Sequence, residues 1–203
     1  MRLPADQRRQ QLLDVAREVF ARHGFHAASM DEIAEAAGVT KPVLYQHFPS
    51  KRALYVELLT DTGAQLLEAL TSVTHSASTG RERVESGFRA YFRFVADSRA
   101  GFRLLFSSSL RTDPEFVGIV DGVVQAAADV IATLIEIPVS EEHRHLLANA
   151  LVGMAEAIGR SATDIGTDDG YSVADADRWA GWLAELAWFG LRGVRAETPS
   201  QLS

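Results

Sequence analysis

The sequence predicts an all-α chain of about nine helices, and three observations support that prediction. Apolar residues recur with the 3.6-residue period of a helix along most of the 203 residues. The alternation of β-branched residues that is typical of strands is scarce, and the sequence has no internal repeat. Helix-start signals recur along the chain, and 47% hydrophobic residues suffice to bury a full core at this length.

One apolar face and one capping signal predict the first two helices. The apolar side chains between Leu12 and Phe20 lie on one helical face, and Gly24 behind them suits the positive φ that often ends a helix. Ser29 and Glu32 have the spacing of a capping box, in which each side chain bonds the other residue's main-chain N–H. A second, short helix is therefore expected after Ser29.

A proline marks the start of the third helix. Gly38 ends the second helix, and Thr40 is placed to cap the next one, which runs from about Lys41 to His47. Pro42 falls in its first turn, where a missing N–H costs nothing because no intrahelical acceptor exists there. Two short helices joined by a tight turn and supported by a third form a helix-turn-helix, whose second helix enters the major groove of DNA.

The remainder of the chain continues in helical patterns. A longer fourth helix follows its cap, Ser50, and the acidic segment 164–175 is expected to be a loop. We predict a helix-turn-helix domain over residues 1–52 and a larger helical domain over residues 53–203. The further helices are expected at about Arg81–Ser98, Gly101–Ser109, Pro114–Glu136, Glu141–Ala162 and Asp175–Arg195.

The charge of the chain is divided unevenly. The formal net charge is −7, but residues 1–52 carry eight Lys and Arg against six Asp and Glu, so a polyanion would bind in this quarter. The absence of cysteine excludes disulfides and thiolate chemistry. No apolar stretch follows the first residues, so no signal peptide is expected. Polar and charged residues interrupt the most nearly apolar segment, 118–139, so no membrane span is expected either.

A polar surface is left over once the apolar residues of the first three helices are turned inward. The side chains that remain outside include hydrogen-bond donors for bases and phosphates. The inward set is Phe20, Ile33, Ala34, Val39, Leu44 and Phe48, and the outer set is Thr40, Lys41, Tyr45 and Gln46.

Three segments of this region carry a family resemblance: FARHGF (20–25), SMDEIA (29–34) and AGVTKPVLYQHFPSK (37–51). They resemble the DNA-binding domain of the TetR family of bacterial transcriptional regulators, without a gap over roughly residues 10–60. Beyond Leu59 the resemblance is only architectural. It implies a cytoplasmic, dimeric, ligand-responsive regulator, usually a repressor that binds a palindromic operator in double-stranded DNA.

The resemblance also implies a role for each residue of the DNA surface. Ser29 and Thr40 would bind phosphates at helix N-termini, or serve only as caps. Lys41 and Gln46 would read base edges, or contact phosphate or solvent. Tyr45 would contact thymine methyl, sugar or phosphate, or be half-buried. His47 and Lys51 would clamp phosphates, or His47 would be a satisfied surface histidine, and Pro42 would contribute shape and apolar contact. The predicted set is Ser29, Thr40, Lys41, Pro42, Tyr45, Gln46, His47 and Lys51.

The last helix has more apolar surface than one core face needs. At about 100° per residue its apolar residues cover an arc of about 200°, so one face is left for a partner, unless these side chains fill the chain's own core. TetR-like regulators dimerise through their last two long helices as a four-helix bundle. The residues predicted for dimerisation are Leu151, Met154, Trp179, Trp182, Leu183, Leu186 and Phe189.

The middle of the chain is dense in aromatic residues. In the family this region surrounds a small-molecule pocket, which implies an apolar or amphipathic effector, although aromatic residues at helical spacing also build ordinary cores. Asn149, Glu156 and Arg160 would orient a ligand or lie at the surface. The residues predicted to bind the effector are Phe88, Phe92, Phe102, Phe106, Met154 and Ile158.

Enzymatic function is not expected, because the sequence has no nucleophile elbow, P-loop or dinucleotide-binding glycine motif. No cofactor or metal is expected either, and the pair His143 and His145 is interpreted as solvated. The alternative from another class is a helical ligand-binding or protein-interaction dimer without DNA binding. The intact polar residues Thr40, Lys41, Tyr45, His47 and Lys51 argue against this alternative.

Overall fold

The computed structural model describes residues 4–77, 79–106, 113–164 and 171–194. The regular structure in these ranges is entirely helical, which confirms the predicted all-α class. In chain order the helices are α1 (Ala5–Ala27), α2 (Met30–Ala36), α3 (Lys41–His47), α4 (Lys51–Ser76), α5 (Gly80–Asp97), α6 (Arg99–Phe106), α7 (Pro114–Leu134), α8 (Glu141–Asp164) and α9 (Val173–Gly193).

The helix boundaries follow the predicted ones within a few residues. α3 has the predicted bounds, and α7 and α8 begin at the predicted residues. α5 and α9 begin one and two residues earlier than expected, because Thr79 and Ser172 cap them through capping boxes with Glu82 and Asp175. Half of the predicted acidic loop (residues 165–170), the expected end of the sixth helix and that of the last helix lie outside the described residues. The loop prediction was wrong at its two ends, because Asp164 still belongs to α8 and residues 173–175 already form the first turn of α9.

The first helix does not stop at Gly24 as predicted. Gly24 has the expected positive φ, 73°, but a further helical turn follows it up to Ala27, so the glycine makes a kink inside α1. Ahead of the kink, the predicted apolar face is buried, including Leu12, Ala16 and Phe20.

The chain separates into two compact units. Unit 1 consists of residues 1–63 and 100–120, and unit 2 consists of residues 64–99 and 121–203. α4, α6 and α7 therefore contribute residues to both units. The functional boundary expected after Arg52 stays a prediction.

An aromatic cluster fills the core of unit 1. The Tyr55 ring lies 4.8 Å from that of Phe20 and 4.9 Å from those of Phe25 and Phe116, measured between ring centroids. Tyr55 and Phe116 are each 1% exposed. Burial raises the pKa of the Tyr55 hydroxyl far above its usual value. The first turn of α7 thus packs in the same core as α1 and α4.

Unit 2 is built around α5, which packs against α8 and α9. Phe92 of α5 is fully buried, and its ring lies 6.4 Å from that of Trp179 on α9. The Tyr171 ring also lies near Trp179, with 4.8 Å between the ring centroids. The guanidinium of Arg99 donates to the Tyr171 carbonyl and holds the start of α9 in place.

One helix within the described ranges, α7, is long and apolar enough to cross a membrane when only length and composition are considered. Core helices of ordinary globular proteins pass the same test, so one such helix is weak support for a membrane protein. Its first turn belongs to the aromatic core of unit 1.

Candidate nucleic-acid interface

The predicted capping box starts α2. The Ser29 hydroxyl accepts a hydrogen bond from the Glu32 N–H at 3.1 Å, and the Glu32 carboxylate accepts from the Ser29 N–H at 2.9 Å and from the Ser29 hydroxyl at 3.0 Å. The bond from the Ser29 main chain, followed by that from its side chain, lowers the pKa of Glu32. The one O–H donor of Ser29 is therefore used within the cap, and a phosphate would have to take it from Glu32.

Gly38 makes the turn between α2 and α3. Its φ is 64°, a value that residues with a Cβ rarely adopt, while no atom beyond its two chain neighbours lies within 4 Å of where a Cβ would be. A side chain would have room at this position, so the positive φ, and not a lack of space, is the reason that glycine is required here. The Val39 N–H donates to the Ala34 carbonyl at 2.9 Å and closes the turn.

α3 begins after Thr40, which occupies the predicted N-cap position without making a side-chain cap hydrogen bond. Pro42 lies in the first turn, as predicted. Leu44 and Phe48 are at most 1% exposed and anchor the helix in unit 1. These two anchors fix which face of α3 points outward.

The outward face carries the predicted polar residues. Thr40, Lys41, Pro42, Tyr45 and Gln46 are all exposed. Tyr45 is 42% exposed, which argues against the half-buried alternative for this side chain. Ser29, His47 and Lys51 are half-buried beside them.

Lys41 makes an ion pair on this surface that the sequence did not predict. Its ammonium lies 2.8 Å from Oδ1 and 3.0 Å from Oδ2 of Asp31, in the first turn of α2. The hydrogen bond and the charge of Asp31 raise the pKa of Lys41. A separation of ten residues does not predict this ion pair, because the distance between Asp31 and Lys41 depends on the angle of the turn between α2 and α3.

Lys51 is engaged with the end of α1. Its ammonium donates to the carbonyls of Ala28 at 2.8 Å and His26 at 3.2 Å, and lies 4.7 Å from the centroid of Phe25. It uses two of its three donors in these bonds, so one is left for a phosphate.

Arg52 forms an ion-pair cluster with two acidic residues at the start of α7, also within unit 1. Its guanidinium donates twice to Asp113, at 2.7 and 2.8 Å, and to Glu115 at 2.6 Å, and it lies 4.8 Å from the centroid of Phe116. The hydrogen bond from Arg52 is the main reason that the pKa of Asp113 is lowered. An open depression of about 430 Å³ adjoins the cluster, lined by Ser50, Arg52, Ala53, Val56, Glu57 and Glu115.

The residues predicted for dimerisation divide into exposed and buried groups. Trp182, Leu186 and Phe189 are 63%, 62% and 60% exposed and lie one turn apart along α9. Leu183 and Leu151 are buried, while Trp179 and Met154 are half-buried. An apolar stripe of three large side chains is thus left on the outer face of α9.

The residues predicted for the effector site fall in different units. Phe88, Phe92, Met154 and Ile158 belong to unit 2, whereas Phe102 and Phe106 belong to unit 1. Phe92 and Phe102 are at most 1% exposed, and the Phe102 ring packs 4.6 Å from that of Phe106. These contacts fit a packed core as well as the wall of a site.

Buried polar groups lie beside the aromatic residues of unit 2. Burial, followed by the charge of Glu156, raises the pKa of the Tyr91 hydroxyl far above its usual value. Glu156 forms an ion pair with Arg160 one turn along α8. Two of the polar residues considered for ligand binding thus lie near a buried phenol.

Comparison with known families identifies two matches in this chain. Residues 12–58 match the bacterial regulatory proteins of the tetR family, and residues 81–190 match the Tetracyclin repressor-like C-terminal domain. Together they cover the helix-turn-helix and most of unit 2.

Individual relatives agree with these matches. The chain is 41% identical over 134 residues to the HTH-type transcriptional activator FasR of Mycolicibacterium smegmatis, which covers 66% of this chain and 61% of FasR. It is 29% identical over 113 residues to the HTH-type transcriptional repressor AcnR of Corynebacterium efficiens, covering 53% of each chain. The matched regions thus span between half and two thirds of these relatives.

A solved structure shows the same fold over almost the full length. A TetR-like transcriptional regulator from Rhodococcus sp. RHA1 superposes with a TM-score of 0.77 at 32% identity, covering 95% of this chain and 100% of that one.

Proposed function

The chain belongs to the TetR family of bacterial regulatory proteins, and on that premise we propose that it is a dimeric, ligand-responsive transcriptional regulator of the bacterial cytoplasm. The family and the relatives found are transcriptional regulators, not enzymes. The proposed domains are the helix-turn-helix of residues 1–52 and an effector-binding and dimerisation domain of residues 53–203. The proposed partners are a palindromic operator in double-stranded DNA, a small effector and a second copy of the chain.

One observation carries the DNA-binding part of the proposal. The outer face of α3 presents the exposed side chains of Thr40, Lys41, Tyr45 and Gln46, while Leu44 and Phe48 are buried behind them. A helix of seven residues with this division fits the major groove, where lysine donates to guanine O6 and N7 and glutamine pairs with adenine. Ser29, Pro42, His47 and Lys51 flank this face, as phosphate and shape contacts.

The outer face of α9 supports the dimer. A second copy that covered Trp182, Leu186 and Phe189 would remove large apolar side chains from water. A two-fold dimer would place two α3 helices on half-sites about 34–36 Å apart, or a multiple of that spacing. The other residues predicted for dimerisation would support this contact indirectly, by packing beneath the exposed stripe: Leu151, Met154, Trp179 and Leu183.

The effector is proposed to be small and apolar or amphipathic. In unit 2, apolar surface for such a molecule would come from Phe88, Phe92, Met154 and Ile158. Phe102 and Phe106, the other two residues predicted for the effector, pack against each other within unit 1. An effector changes DNA binding only by binding one conformation better than another.

Repression is the family's usual mode, and we propose that the chain occludes a promoter until its effector binds. Activation is a second candidate, because the relative FasR, at 41% identity, is an activator. The experiment that tests the proposal is genome-wide footprinting followed by transcription from a bound promoter in vitro. A regulator changes transcript yield only from promoters that carry the footprint, and the sign of the change separates repression from activation. A chain that leaves no footprint and alters no transcript would favour a ligand-binding or protein-interaction dimer without DNA binding.

A further inference from the structure

We propose that Asp31 is a specificity-determining residue that positions Lys41 for base reading and withholds it from the phosphates of random DNA. The inference rests on the proposed function, since both residues lie on the same DNA surface. It adds an acidic residue of α2 to a set that otherwise consists of hydrogen-bond donors and one proline.

The geometry of the pair is specific. The Lys41 ammonium faces both carboxylate oxygens of Asp31, at 2.8 and 3.0 Å, so it is held centrally in front of the carboxylate. Lys41 is the first residue of α3 and Asp31 the second of α2, so the pair joins the two N-termini. The two side chains are 52% and 68% exposed, which leaves the pair accessible to DNA.

An acidic side chain at this position is unfavourable for DNA binding in itself. Ser29 and Thr40, both predicted to contact phosphate, lie two residues before Asp31 and one before Lys41. Docking of α3 would therefore bring the Asp31 carboxylate into the field of the phosphates. Glu32 next to it is already used in the capping box of Ser29, whereas Asp31 directs its charge at the one lysine of α3.

The pair affects random DNA and operator differently. An ammonium group has three N–H donors, so Lys41 can keep one on Asp31 and point two at O6 and N7 of guanine. On random DNA the charge of Lys41 is offset by Asp31, and the pair releases few counterions from phosphates. Both side chains are more than half exposed, so the ion pair contributes little to the stability of the fold, and Asp31→Asn is expected to leave the fold intact while it changes DNA binding.

A mutant cycle tests this role. Asp31→Asn, Lys41→Ala and the double variant are compared with wild type on two duplexes. One is selected from a random pool by the wild-type chain, and the other is a scrambled duplex of the same length and composition. Glu35→Gln is the matched control, because it removes one exposed negative charge one turn further along α2.

Loss of one neutralising carboxylate should free one lysine for phosphate. Asp31→Asn is expected to bind the scrambled duplex about 5- to 10-fold more tightly at about 0.1 M salt, with a salt slope steeper by about 0.9. Binding to the selected duplex should improve less than about twofold, so the specificity ratio falls by about fivefold, whereas Glu35→Gln keeps it within about twofold. In the Lys41→Ala background, Asp31→Asn should change the ratio by less than about twofold.

Two results would overturn the inference alone: equal tightening by Asp31→Asn on both duplexes, or an unchanged effect of Asp31→Asn when Lys41 is already alanine. The first would make Asp31 a general repulsive charge, and the second would make it act without Lys41. A wild-type chain that binds both duplexes equally would instead overturn the proposed function, and this inference with it.

Discussion

The Lys51 ammonium donates a hydrogen bond of 2.8 Å to the carbonyl oxygen of Ala28, and so joins the start of α4 to the chain segment behind α1. A second bond to the His26 carbonyl and the nearby Phe25 ring complete its surroundings. A lysine that satisfies carbonyls at a helix end stabilises that end. A residue predicted as a phosphate clamp therefore also holds unit 1 together.

Lys51→Met should lower both stability and DNA affinity. Loss of two hydrogen bonds from a charged donor is expected to reduce the free energy of unfolding by about 1–2 kcal/mol, measured by urea denaturation. Binding to operator and random duplexes should weaken alike, with a salt slope flatter by about 0.9. Lys41→Met is the control for stability, since substitution of its exposed side chain should leave the urea midpoint nearly unchanged. Equal stability of Lys51→Met and wild type would contradict the structural role.

Ser29→Ala and Ser172→Ala are a matched pair of cap variants. Both serines form capping boxes, with Glu32 on α2 and with Asp175 on α9. Each substitution should therefore reduce the free energy of unfolding by about 1 kcal/mol. In filter binding, only Ser29→Ala should also lose operator affinity, because only Ser29 lies on the proposed DNA surface. Equal operator affinity of the two variants, once corrected for stability, would show that Ser29 only caps α2 and does not contact DNA.

The dimer is tested by substituting exposed and buried residues of the same helix. Trp182→Glu combined with Leu186→Glu should turn a dimer into a monomer in light scattering at micromolar concentration, with helical circular dichroism retained, because both side chains are more than 60% exposed. Leu183→Ala should instead lower the free energy of unfolding by about 2–5 kcal/mol, since Leu183 is 5% exposed. A wild-type monomer would contradict the dimer.

Stability is expected to fall in acid. The pKa values of Asp113, Asp175 and Asp177 are lowered from 3.8 by hydrogen bonds from Arg52, Ser172 and Arg93, respectively. A carboxyl group with a lowered pKa contributes stability above its ordinary pKa and loses it as the pH falls through the folded-state value. The urea midpoint should therefore decrease below about pH 4. Asp175→Asn should show a shallower decrease, and an identical pH profile for this variant would refute the contribution of Asp175.

Local features of the site were predictable from sequence because their partners are close along the chain. The Ser29–Glu32 cap and the positive φ of Gly24 and Gly38 each depend on a few neighbouring residues. The cap was predicted from the spacing of Ser29 and Glu32, and the positive φ of Gly24 from a glycine that follows an apolar helical face. The Thr79 cap of α5 carries the same signal, with Glu82 three residues on, and could have been found.

Long-range contacts could not be predicted in the same way. Lys51 reaches carbonyls 23 and 25 residues earlier, at positions set by the kink at Gly24. The bonds of Arg52 to Asp113 and Glu115 span more than 60 residues and require the first turn of α7 to pack in unit 1. Helical periodicity also could not tell exposed Trp182 from buried Leu183, since the apolar arc of α9 includes both.

The most direct test of the central claim is a salt titration of the wild-type chain on the selected and scrambled duplexes. We expect the selected duplex to bind about a thousandfold or more tightly, to be a palindrome, and to protect both half-sites in footprinting. Both affinities should fall steeply as salt rises, as phosphate contacts require. Equal binding of the two duplexes at every salt concentration would contradict the assignment of α3 as a sequence-reading helix.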